Sequence, residues 1–119
     1  MQDTGHSFSA YYKRATSPLV VLSLLLERPM YGYELSAEMK ERSGGLFKIS
    51  VLYPVLYRLQ ELGYIEEAGT KITDGRARSY YQITPQGERY FTTTLAEYKK
   101  LAAVFEQFTE VRRDDGSCK

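Results

Sequence analysis

The chain has no tryptophan and a single cysteine, Cys118, among its 119 residues. A lone thiol has no partner for a disulfide within the chain, which argues against a disulfide framework and favours a reducing compartment. Long apolar runs are also missing. The longest, at residues 18–26, is interrupted by Ser23 and falls far short of the roughly 20 residues of a membrane span. We therefore expect no signal peptide, no transmembrane helix and a cytoplasmic protein.

An excess of charge of one sign is missing as well. Sixteen basic and fifteen acidic residues give a formal net charge of +1. This balance argues against a protein that coats nucleic acid indiscriminately, but it allows local basic patches on a specific binder. Catalytic patterns are lacking too: there is no Cys–His pairing, no Gly-rich phosphate loop and no carboxylate cluster on one predicted face. His6 has no second ligand nearby, so we expect no metal, no cofactor, no catalytic residue and no enzyme.

The N-terminal part of the chain predicts an arm followed by a fully covered helix. Residues 1–10 are polar, which is typical of a flexible arm. Ser17 as an N-cap and Pro18 at the first helical position predict a helix start. Residues 19–26 are apolar nearly all round. We therefore expect this helix to be covered on one side by its own domain, and on the other by a partner subunit or a C-terminal helix.

Two further helices with a glycine break between them predict a helix-turn-helix. Residues 30–42 alternate core and solvent positions at helical spacing, and Gly44-Gly45 ends that helix. Ser50 is the expected N-cap of the next helix. The core-facing stripe of this third helix consists of Leu52, Val55, Leu56, Leu59 and Leu62. In a helix-turn-helix, the second helix enters the major groove of DNA with its N-terminal turn leading.

A hairpin and a long helix complete the predicted fold. Residues 64–67 and 80–83 favour two short strands, and Thr73-Asp74-Gly75 is a turn signal between them. Thr84-Pro85 then starts a helix that is expected to end near Glu110. The fold class is therefore mainly α with a small β-hairpin. Its parts are an arm (1–10), a winged helix-turn-helix (11–84), a C-terminal dimerisation helix (85–110) and a disordered tail (111–119).

Side chains on the outer face of the third helix and at the basic hairpin tip are the candidate DNA contacts. The expected set is Tyr31, Ser50, Val51, Tyr53, Pro54, Tyr57, Arg58, Lys71, Arg76 and Arg78, with Lys13, Arg14 and Lys48 as weaker phosphate contacts. Several of them have a structural alternative. The two helix tyrosines would pack under the hairpin, Arg58 would pair with Glu61 or Glu34, and the hairpin cations would form a solvated loop. Tyr33 is expected in the core.

The long helix carries apolar residues at a spacing that suits helix–helix packing. The predicted dimer seam consists of Phe91, Leu95, Tyr98, Ala102 and Phe105 on this helix, together with Leu22 and Leu25 on the first helix. An intramolecular core is the alternative. The first helix, apolar on all sides, favours the dimer.

Several of these segments together resemble the PadR family of bacterial transcriptional regulators, over roughly residues 17–108. They are Tyr31–Leu35, Leu52–Leu59 with Gly63 and Ile65, Gly75-Arg76, and Tyr80–Thr84 with Gly87. The resemblance implies a winged helix, dimerisation through the first and last helices, repression of a nearby promoter, and, in some relatives, release by a small aromatic effector. The absence of tryptophan departs from compact relatives that stack flat drugs at the dimer centre. A winged helix serving only protein interaction is the rival function.

Overall fold

The computed structural model describes residues 6–48 and 52–118, with side chains up to Glu110. In chain order, its elements are α1 (Phe8–Glu27), β1 (Met30–Tyr31), α2 (Gly32–Arg42), α3 (Leu52–Glu61), β2 (Ile65–Thr73), β3 (Arg76–Ile83) and α4 (Pro85–Cys118). The architecture is a mainly helical winged helix with one small sheet and a long C-terminal helix. Ser50 and Val51 lie outside the described residues.

The core lies between α1, α2 and α3 and is closed by the sheet. Fully buried leucines come from each of these helices, namely Leu22, Leu35 and Leu52. Met30 of β1 and Ile65 of β2 extend the same cluster. Three helices and one sheet thus share a single apolar interior, which fixes the position of α3 relative to the hairpin.

Helix α1 is longer than its sequence predicts. It begins at Phe8, and the Ser7 hydroxyl accepts a hydrogen bond from the Ala10 N–H at 3.1 Å. The start predicted at Ser17-Pro18 is wrong, because both residues lie inside the helix. The Ser17 hydroxyl donates to the Lys13 carbonyl at 2.6 Å, so this serine satisfies a mid-helix carbonyl instead of a helix end. Residues 8–10, expected in the arm, are helical.

The sheet has three antiparallel strands in the order β1-β3-β2. Its third strand, β1, is absent from the sequence prediction, which starts a helix at Met30. Met30 and Tyr31 instead pair with Tyr81 and Tyr80 of β3. Glu34 accepts a hydrogen bond from the Tyr31 N–H at 3.2 Å, and α2 starts one residue after Tyr31.

The predicted hairpin turn is confirmed. Thr73 pairs with Arg76, which leaves Asp74-Gly75 as a two-residue turn, and both of these residues have positive φ angles (54° and 76°). Turns of this kind match the right-handed twist of the flanking strands. The strands are longer than predicted, because backbone pairing continues through the polar residues on either side of the turn.

Helix α4 starts at Pro85, as its sequence predicts. The Thr84 hydroxyl accepts from the Gly87 N–H at 3.0 Å and donates to the Gly63 carbonyl at 2.7 Å. A Cβ on Gly87 would overlap the Tyr64 carbonyl, so only glycine allows this close approach. The helix continues to Cys118, beyond the end predicted near Glu110. Among the described residues, no helix is long and apolar enough to cross a membrane.

Candidate nucleic-acid interface

Helix α3 has one buried side and one open side. Leu52, Leu56 and Leu59 are buried, and Val55 packs at the edge of the core, as the stripe predicts. Leu62, the predicted end of the stripe, is wrong as a core residue because it follows α3 and is exposed. The open side of α3 is consequently available to meet another molecule.

Four sequence-predicted candidates lie on the open side of α3. Tyr53 and Tyr57 are 42% and 61% exposed, with ring centroids 6.4 Å apart, so neither is covered by the hairpin. Pro54 is exposed beside them. Arg58 lies 3.5 Å from Glu61 in an ion pair whose side chains are 70% and 74% exposed. Such solvated pairs contribute about 0–1 kcal/mol. Arg58 can therefore exchange Glu61 for another anion at little cost.

The open side of α3 adjoins the start of α2. A Cβ on Gly32 would lie 2.7 Å from the Tyr53 hydroxyl oxygen, so the tyrosine ring packs directly on this glycine. On the sheet side, burial raises the pKa of Tyr81, and nearby Glu67, Tyr57 and Tyr53 raise it further. The Tyr53 ring therefore connects the open side of α3 to the first turn of α2.

The hairpin, which we call the wing (residues 65–83), carries its cations on one face. Lys71 is directly opposite Arg78 in the register, and directly opposed residues share a face of an antiparallel pair. Side chains alternate along a strand, so Arg76 and Tyr80 are on the same face as Arg78. Lys71 and Arg76 are exposed, whereas Arg78 is half-buried.

Two of the wing cations, Arg78 and Lys71, each lie over a tyrosine ring. The guanidinium carbon of Arg78 lies 4.7 Å from the centroid of the Tyr31 ring, and the Lys71 Nζ lies 5.1 Å from that of Tyr80. The two rings meet edge to face at 5.2 Å. Tyr31, a predicted DNA contact, is thus half-buried within this cluster. Its neighbour Tyr33, expected in the core, is 63% exposed, so that expectation is wrong.

The weaker phosphate candidates lie on two elements. Lys13 and Arg14 lie in the first half of α1, where Arg14 is 5.5 Å from the centroid of the Tyr11 ring. Lys48 is exposed after α2 and lines a surface groove that also contains Tyr33 and Lys40. Lys40, which is not among the predicted contacts, lies seven residues after Tyr33 and hence on the same face of α2.

The residues of the predicted dimer seam lie in different surroundings. Leu22 and Leu25 are only 0% and 3% exposed in the chain's own core, so assigning them to the seam is wrong. Helix α1 packs against α2, α3, α4 and β3 of the same chain. Leu26, at the end of its apolar stretch, is nevertheless 45% exposed. Phe91 and Leu95 line a groove shared with α1, and the Tyr98 hydroxyl lies 3.0 Å from that of Tyr12.

The outer half of α4 presents a second apolar stripe. Phe105, a predicted seam residue, is 64% exposed, whereas Ala102 is half-buried. Three further apolar residues, Leu101, Val104 and Phe108, are exposed beside it. At 3.6 residues per turn, these positions share one side of the helix, next to the side that faces α1.

Comparison with known proteins identifies the family. The sequence model of the transcriptional regulator PadR-like family matches residues 21–93. The chain belongs to the PadR family. Transcriptional regulator Rv3488 of Mycobacterium tuberculosis is 31% identical over 91 residues, which cover 76% of this chain and 83% of that protein.

Solved structures of other transcriptional regulators have the same fold. A transcriptional regulator from Clostridium thermocellum superposes with a TM-score of 0.74 at 31% identity, covering 82% of this chain and 97% of its own. A PadR family regulator from Eggerthella lenta gives 0.74 at 27% identity, with coverages of 84% and 87%. Members of the PadR family are DNA-binding transcriptional regulators and not enzymes. This PadR protein is therefore a DNA-binding regulator of transcription.

The contact between Gly32 and Tyr53 gives a test of the surface geometry. Replacing Gly32 with alanine should lower the free energy of unfolding by about 1 kcal/mol, because the new methyl group overlaps the tyrosine ring. In a Tyr53→Ala background the same change should be neutral or slightly stabilising, since alanine favours a helix more than glycine does. Urea titrations of the four proteins measure the coupling. Equal effects of Gly32→Ala in both backgrounds would contradict the contact.

Proposed function

We propose that this PadR regulator binds a pseudo-palindromic operator as a homodimer and represses a nearby promoter. The observation that supports this most strongly is a series of contacts that runs from α3 to the wing. The exposed Tyr53 of α3 packs on Gly32 at the start of α2, and the residue before that glycine, Tyr31, contacts Arg78 on the cationic face of the wing.

Helix α3 would enter the major groove. Its N-terminal turn offers free backbone N–H groups to phosphates, and the predicted contacts Ser50 and Val51 immediately precede the described helix. Tyr53 and Tyr57 offer both apolar edges for thymine methyl groups and hydroxyls for hydrogen bonds. Arg58, released from Glu61, offers two donors to a guanine or a phosphate. These side chains would supply the sequence discrimination.

The wing would supply affinity that does not depend on sequence. Lys71 and Arg76 are exposed on one face of a hairpin that extends from the same domain. Cations at such a position bind the phosphate backbone beside the groove occupied by the helix. Because counterions are released when phosphates are neutralised, affinity should fall steeply with salt. A winged helix that served only protein interaction would lack this dependence.

A second copy of the chain is the occupant we propose for the exposed stripe of α4. Phe105 and Phe108 are 64% and 71% exposed, and large aromatic side chains on a free helix face are unfavourable in water. The helix has 34 residues, about 50 Å at 1.5 Å per residue, and its outer half extends past the core. Pairing of two such helices across a two-fold axis would place the two α3 helices roughly 34 Å apart, one turn of DNA.

The groove between α1 and α4 is the site we propose for a small aromatic effector. Its volume is about 240 Å³, and its lining includes the apolar and aromatic side chains of Tyr12, Leu19, Val20, Phe91, Leu95 and Tyr98. This volume suits a single-ring compound more than the flat polycyclic drugs that are stacked between tryptophans. A compound wedged there would displace the Tyr12–Tyr98 hydrogen bond and move α4, and thereby the second α3 helix of the dimer.

Removal of one wing charge tests DNA binding. Arg76→Ala should weaken binding to all duplexes, including random sequences, and reduce the slope of log K against log salt by about 1 for each phosphate that is no longer neutralised. Fluorescence anisotropy at several salt concentrations measures both quantities. The matched control is Arg89→Ala, which removes a likewise exposed arginine from the first part of α4. Unchanged affinity for Arg76→Ala would refute the assignment of the wing.

Charge introduced into the exposed stripe tests the dimer. Leu101→Glu combined with Phe105→Glu should convert the protein to a monomer, because two carboxylates would be buried opposite their own copies. Light scattering reports the mass. Ala103→Glu places the same charge on the opposite, exposed side of α4 and should leave the dimer intact. A double variant that stays dimeric disproves the proposed seam.

A further inference from the structure

We propose that Arg78 is a positioning residue that locks the wing onto the helix-turn-helix through the ring of Tyr31, and that it does not act as a phosphate contact. This inference rests on the proposed binding of the wing to DNA. It assigns different roles to Arg76 and Arg78, which the sequence predicts equally as DNA contacts.

The surroundings of Arg78 differ from those of Arg76. Arg78 is half-buried with its guanidinium carbon 4.7 Å from the centroid of the Tyr31 ring. Its Nε is buried and has no hydrogen-bond partner among the residues that the structure describes. A buried donor without an acceptor is unfavourable, so the ring face is the main compensation for this cation. Arg76 is exposed next to the turn, where a phosphate can reach it.

The register of the hairpin gives a reason for the contact between Arg78 and the Tyr31 ring. Lys71 and Arg78 are directly opposite each other, and like charges in that position destabilise a strand pair. The rings of Tyr80 and Tyr31 each receive one of these two cations. Because the rings also contact each other, one connected cluster runs from Lys71 through Tyr80 to Tyr31 and Arg78.

The cluster lies where the wing extends beyond the core that it shares with the helices. Strand β1 pairs with β3 only at Tyr80 and Tyr81, so beyond these residues the wing is held by pairing between its own strands. Arg78 lies in the part of β3 that pairs with β2 but not with β1, whereas Tyr31 immediately precedes α2. The N–H of Tyr31 is bound by Glu34, which also pairs with Arg28 at 3.1 Å. The stack therefore sets the angle of the wing relative to α3.

Charge and planarity separate a positioning role from phosphate binding. Arg78→Ala should weaken binding to a random-sequence duplex at low salt by about fivefold, and Arg78→Lys, which keeps the charge but replaces the planar guanidinium on the ring with a compact ammonium, should still lose about twofold. Tyr31→Leu should reproduce the loss of Arg78→Ala although it removes no charge, and Tyr31→Phe, which keeps the ring face, should lose clearly less than Tyr31→Leu. The Tyr31→Leu, Arg78→Ala double variant should lose no more than either single one. Wild-type affinity for Arg78→Lys, or additive losses in the double variant, would overturn the proposal.

The free protein gives a readout that is independent of DNA. The Arg78 side-chain protons should show an upfield ring-current shift in NMR spectra, which Tyr31→Phe preserves and Tyr31→Leu abolishes. If both variants are folded and the Arg78 signal is the same in Tyr31→Phe and Tyr31→Leu, the proposal is wrong. Arg76→Ala separates this inference from the proposed function. If that variant leaves DNA affinity unchanged while the ring-current pattern is as expected, binding by the wing is refuted and the lock between Arg78 and Tyr31 is supported.

Discussion

The pairing of Met30–Tyr31 with Tyr80–Tyr81 is the contact on which the rest of the molecule depends. It buries Met30 in the core and fixes the Tyr31 ring at the base of the wing, one residue before α2. Without it, the hairpin would be joined to the helices mainly through Ile65 and the residues that precede α4. With it, Tyr31 at the start of α2 and Arg78 in the wing belong to one side-chain cluster. This cluster fixes the orientation of the wing relative to α2.

Local sequence signals predicted the elements whose stabilising contacts are local. The leucine stripe of α3, the Asp74-Gly75 turn and the Thr84-Pro85 helix start are all present, because helical spacing, positive φ angles and capping need no distant partner. Strand β1 was missed since its two residues have no strand pattern and pair with residues about fifty positions away. The Ser17-Pro18 signal misled because a serine hydroxyl can also bond a carbonyl within a helix.

The residue types of the candidate site could be predicted from the sequence. The different surroundings of its individual residues could not. Exposure of Tyr53 and Tyr57 follows from the stripe that buries the opposite side of α3. The half-buried state of Arg78 depends on a tyrosine from another element, which no local pattern contains. Likewise, the predicted seam of α4 combines Phe91 and Leu95, which face α1, with Phe105, which is exposed. Only the packing of α4 against α1 separates those two sets.

The central claim is that one continuous surface, formed by the open side of α3 and the cationic face of the wing, meets DNA twice in a two-fold assembly. Hydroxyl-radical footprinting on the DNA upstream of the chain's own gene tests this most directly. The account predicts two protected patches related by a dyad, with centres about one helical turn apart and backbone protection extending outward from each. A single patch, or protection without a defined spacing, would contradict it.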